Sequence, residues 1–86
     1  MSSQPISAID QAERDRIGAT IRQIRMMRGF KPDEFASEIG ISRPYLANIE
    51  AGRKPLTEVL LSRIADALSV PQIAIAREGY FELVPV

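Results

Sequence analysis

Arg43 and Asn48 stand on either side of Pro44 and Ala47 in the stretch IGISRPYLANIE, residues 39–50. A guanidinium presents a planar fork of donors, and a carboxamide sets a donor beside an acceptor. The two can therefore recognise a patterned hydrogen-bonding surface. Neither attacks a bond or shuttles a proton near neutral pH. The 86 residues include no Cys and no His, which removes thiol chemistry, disulfides, imidazole acid–base catalysis and the usual zinc and copper ligand sets. Carboxylates alone remain, so no catalytic residue, metal or cofactor is expected, and the chain reads as no enzyme. Recognition is the chemistry these side chains can do.

A short break positions them. Gly40 can take a positive φ, Ile41 returns an apolar side chain to the core, and Ser42 can cap the orphan N–H groups of a following helix. Beyond it Leu46 and Ile49 face inward at i, i+3 spacing, leaving Arg43, Pro44, Ala47 and Asn48 on the opposite face. Helix, sharp turn and helix in this order form a helix-turn-helix, a motif that offers its second helix to the major groove of DNA.

The rest of the chain frames that motif. Residues 1–9 read as a loose arm, and a capping pair, Ser7 with Asp10 or Asp10 with Glu13, opens a first helix of about four turns. Ile17, Ile21 and Ile24 give it an apolar face, Arg14, Arg22 and Arg25 lie on other faces, Met26 and Met27 read as packing residues, and Gly29 ends it. A second helix starts at Pro32 with Phe35, Ala36 and Ile39 inward, and a third runs from Arg43 to Glu50. Thr57 caps a fourth, whose broad apolar face is Leu60, Leu61, Ile64, Ala65 and Leu68; a fifth spans Gln72 to about Arg77. The expected fold is thus all-α, a compact five-helix domain over residues 10–78, followed by a short extended tail at 79–86.

Net charge is zero, but it is unevenly spread: −1 over residues 1–21, +3 over 22–54 and −2 over 55–86. The positive excess coincides with the turn, and the acidic flanks would turn other faces away from phosphate. No stretch approaches the ~20 apolar residues of a membrane span, and the first ten residues lack a signal-peptide core. A cytoplasmic protein with no membrane partner is expected.

Ile17-Gly18, Arg28-Gly29-Phe30, Asp33-Glu34-Phe35-Ala36, Gly40-Ile41-Ser42, Tyr45-Leu46, Ile49-Glu50, Gly52 and Ile64-Ala65-Asp66-Ala67-Leu68 together resemble the lambda-repressor/Cro-like (Xre) helix-turn-helix family. The resemblance covers about residues 13–77. It implies a five-helix domain that binds a pseudo-palindromic operator in double-stranded DNA as a homodimer and represses transcription. By the same resemblance the base-reading positions fall on Ser42, Arg43, Pro44, Ala47 and Asn48, with Arg43 suited to guanine, Asn48 to adenine, and Pro44 and Ala47 to a thymine methyl. Backbone contacts fall on Tyr45, Arg53 and Lys54, with Lys31 beside them. Lys31-Pro32 differs from the Ser or Thr followed by Gln that the family often carries there. Arg25 and Glu50 match a structural pair bridging the first helix to the end of the third. Ile73, Tyr80, Phe81, Leu83 and Val84, in the fifth helix and the tail, are left for dimerisation. The alternative is an antitoxin-like or other protein-interaction module, with a protein partner, that also autoregulates its own operon.

Overall fold

Pro32, Ser42 and Thr57 mark helix starts in the structure, a computed structural model that describes residues 6–77. Four α-helices follow one another: α1 (Ile6–Met27), α2 (Pro32–Ile39), α3 (Arg43–Glu50) and α4 (Glu58–Leu68), with a 3-10 turn at Gln72–Ala74. Ser42 Oγ accepts from the Tyr45 N–H at 3.2 Å and Thr57 Oγ1 from the Leu60 N–H at 3.1 Å, so each hydroxyl satisfies one orphan donor. Lys31 has no oxygen to offer α2. There the help runs backwards, with Glu34 Oε1 accepting from the Lys31 N–H at 3.2 Å. Gly40, at φ 77°, closes α2 in the left-handed region and turns the chain into α3.

One core holds the four helices. Ile17 and Ile21 from α1, Phe35, Ala36 and Ile39 from α2, Leu46 and Ile49 from α3, and Leu60, Leu61, Ile64, Ala65 and Leu68 from α4 are all buried, joined by Leu56, Ile75 and Ala76. Phe30 folds back after α1 so that its ring centroid lies 5.3 Å from that of Phe35, tilted by 54°. That geometry suits the quadrupoles of two aromatic rings.

Three expectations are corrected. The first helix spans Ile6–Met27, 22 residues, among the described residues. Residues 6–9 of the expected arm are therefore helical, and Ser7, Asp10 and Glu13 lie inside the helix rather than capping it. The fifth helix is only a 3-10 turn, so the α-helices number four among the described residues. Ile73, within this turn, is exposed, and Ile75, which follows it, is buried. Met26 and Met27 stay outside the core; they are 59% and 75% exposed on the solvent side of α1. The expected tail, with Tyr80, Phe81, Leu83 and Val84, lies outside the described residues.

Candidate nucleic-acid interface

The eight residues of α3 are anchored by one face. Leu46 and Ile49 are buried on it, and Tyr45 is half-buried against the same core. The opposite face starts with Ser42, Arg43 and Pro44 and continues with Ala47, all exposed, and with Asn48, half-buried. An α-helix with its side chains is roughly 10–12 Å across, about the width of the major groove, so only a helix standing clear along its outer face can enter. The face of α3 that carries Arg43 meets that condition.

Its tilt is set by α1. Arg25 Nε donates to Glu50 Oε2 at 2.8 Å, Arg25 Nη2 donates to Glu50 Oε1 at 3.2 Å, and Arg25 Nη1 donates to the Phe30 carbonyl at 2.8 Å. Arg25 is only 5% exposed, so its charge is buried together with its partner's rather than lying on an outer face of α1. A forked ion pair of this kind fixes an angle as well as a distance. Two turns back along α1, Gly18 lets the helix backbone touch the last turn of α3. A β-carbon on Gly18 would stand 2.5 Å from the Glu50 carbonyl oxygen. Two turns further toward the start of α1, Gln11 Nε2 donates to the Gly52 carbonyl at 3.0 Å.

The positive charges surround α3 unevenly. Arg43 Nη1 lies 3.4 Å from Asp33 Oδ1, both side chains well exposed, a pairing that contributes little and yields readily to a stronger anion. Arg53 Nε donates to Asn48 Oδ1 at 3.1 Å, and the Lys54 side chain is exposed in the loop beyond. Lys31 is exposed at the start of α2. Arg22, which the sequence places merely on an outer face of α1, lines a concavity of about 200 Å³ with Arg43, Ala47 and Glu50. The signal for it was present: Arg22 precedes Arg25 by three residues, the spacing that puts two side chains on neighbouring helical positions.

Residues 16–77 match the family model described as a helix-turn-helix domain. The chain belongs to this family. It is 34% identical over 74 residues to the "ImmF control region 10 kDa protein" of Bacillus phage phi105, a match covering 78% of this chain and 82% of that one. Among solved structures it resembles the clp gene regulator ClgR of Corynebacterium glutamicum, with a TM-score of 0.71 and 30% identity over 73% of this chain and 67% of that chain. The restriction-modification controller protein C.AhdI of Aeromonas hydrophila shares the fold, with a TM-score of 0.71 at 23% identity, over 74% of this chain and 97% of that one.

As a lambda-repressor/Cro-like helix-turn-helix regulator, the protein is a DNA-binding transcription regulator rather than an enzyme. Ser42, Arg43, Pro44, Ala47 and Asn48 share one face of α3, with Arg53 and Lys54 at its far end. Tyr45 is half-buried against the core, and its backbone N–H donates to Ser42 Oγ. Ser42 thus serves as the helix cap, whatever else its hydroxyl meets. Ile73 is exposed well along the chain, in the 3-10 turn. Among the described residues no helix of this regulator is long and apolar enough to cross a membrane.

Proposed function

We propose that this regulator is a sequence-specific repressor that binds a pseudo-palindromic operator as a homodimer, with α3 in the major groove. The single observation carrying the reading is the solvent-facing start of α3, where Arg43, Pro44 and Ala47 stand exposed on a helix whose inner face and far end are both fastened. A guanidinium there can take the O6 and N7 of a guanine with two parallel hydrogen bonds, and Pro44 and Ala47 can meet a thymine methyl. Lys31, Arg53 and Lys54 are the residues proposed to neutralise phosphates on either side. The phage phi105 relative, by its name, comes from a control region, which supports a role in regulating genes. Two copies reading half-sites about 34–36 Å apart would supply the affinity and selectivity that one eight-residue helix lacks. Ile73 and the segment after Gly79 are the surfaces proposed for joining them.

Selection from random duplexes with the full chain tests this reading. An enriched motif with two-fold symmetry is expected, and affinity for it should fall with salt at a logarithmic slope of about −0.9 per neutralised phosphate. No enriched motif, or binding indifferent to salt, would remove DNA reading from consideration.

A further inference from the structure

Asn48 organises the chain that leaves α3. Its backbone carbonyl accepts from the Arg53 N–H at 2.8 Å and from the Lys54 N–H at 3.3 Å. Its side-chain Oδ1 accepts from Arg53 Nε at 3.1 Å. A guanidinium can only donate, so the carboxamide must present its oxygen to Arg53 and its nitrogen elsewhere. The amide orientation is therefore fixed by chemistry. Recognition of adenine needs that same oxygen for the N6 amino group while the nitrogen donates to N7. Arg53 occupies one of the two lone pairs of that oxygen, so the carboxamide is already engaged by the loop before any base arrives. What remains to be offered is the Nη edge of Arg53, an exposed residue tethered by its Nε to a half-buried one.

We propose that Asn48 is a positioning residue: it holds Arg53 by Nε so that the two Nη groups meet a DNA phosphate beside the recognition helix, and it reads no base itself. The inference rests on the DNA-binding reading above. Holding a long side chain in advance removes part of the entropy cost of ordering it on binding, and should be worth roughly two- to tenfold in affinity. The sequence alone favours the opposite assignment, because an Asn on the outer face of a recognition helix reads most simply as an adenine contact.

The test uses the motif selected by the wild-type chain, together with duplexes in which each base pair of a half-site is changed in turn. Asn48→Ala should weaken binding by roughly two- to tenfold on all of these duplexes alike and leave the ranking of base pairs unchanged. In an Arg53→Lys background, where no planar fork remains to be aimed, Asn48→Ala should add almost nothing. Asn48→Asp keeps the acceptor and loses the amide donors, so it should also preserve the base-pair ranking. Arg53 is exposed and Asn48 half-buried, and circular-dichroism melts check that each variant folds. Loss of preference at one base pair in Asn48→Ala and Asn48→Asp, equal with Arg53 intact and in the Arg53→Lys background, would overturn the proposal and restore Asn48 as a reader. If the wild-type chain selects no motif, the DNA reading fails first, and the proposal with it.

Discussion

Gly18 of α1 and Glu50 of α3 approach so closely that a β-carbon on the first would stand 2.5 Å from the carbonyl oxygen of the second. The obstacle is backbone, which cannot swing aside as a side chain does. Gly18→Ala should therefore push the two helices apart and cost about 1–3 kcal/mol, the usual range for overpacking. In a domain of this size a loss of about 2 kcal/mol lowers Tm by roughly 8–16 °C, which a calorimetric melt reads directly. An unchanged Tm would show that the helices separate freely.

The buried fork between Arg25 and Glu50 predicts an asymmetry. Glu50→Ala strands the Arg25 guanidinium, which is only 5% exposed, and should cost about 3–5 kcal/mol. Replacing both partners by Met and Leu should cost much less, because no charge is left buried alone. Urea titrations of the two variants measure that difference in stability. Equal losses would mean that the pair acts only through packing.

Ser42→Ala removes the acceptor that holds the Tyr45 N–H at 3.2 Å. Loss of such a cap costs about 1 kcal/mol, or roughly 4–8 °C in Tm. Ser42→Asp, which keeps an acceptor and favours the positive end of the helix dipole, should recover that stability while repelling phosphate. Melting with and without a DNA duplex distinguishes the two effects.

Arg43→Ala is expected to relax preference at one base pair of each half-site by about 1–3 kcal/mol, measured by competition among single-substituted duplexes. Lys54→Ala should instead weaken binding to every duplex and shrink the salt slope by about 0.9. A uniform loss for Arg43→Ala would move that residue to the phosphate group. Its exposed bond to Asp33 is weak enough to be exchanged for either partner.

Ile73, 65% exposed, belongs to the surface proposed for dimerisation. Ile73→Asp should raise the dimer dissociation constant about tenfold or more, since burying an unpaired carboxylate is costly. Sedimentation at several concentrations checks this, and truncation after Gly79 reports on the tail. A protein that stays fully dimeric with both changes would place the interface elsewhere.

Much of the fold was legible because its boundaries are written in residues with strong local preferences. Pro32, the Gly40-Ile41-Ser42 break and Thr57 bring the predicted starts of α2, α3 and α4 into agreement with the structure. The start of α1 is harder to place because polar, cap-like residues at Ser7 and Asp10 also sit comfortably inside a helix. The sequence does not separate the 3-10 turn from a short helix, because three or four apolar residues fit either. At the candidate interface, residue types on α3 were readable from periodicity. The partners they choose were not: Asp33 for Arg43 and Arg53 for Asn48 are polar side chains meeting across a turn or a loop, and either could have bonded water instead.

The 22 residues of α1 make a rod of roughly 33 Å, and α3 is fastened along it at Gln11, Gly18 and Arg25 through its final turn and the glycine that follows. A cargo spliced in helical phase ahead of Ile6 would share that rod and keep a constant heading relative to the reading helix. The 3-10 turn at Gln72–Ala74 offers no comparable shaft. The amino-terminal end is accordingly the better mount for a tool meant to be carried to DNA in a known orientation.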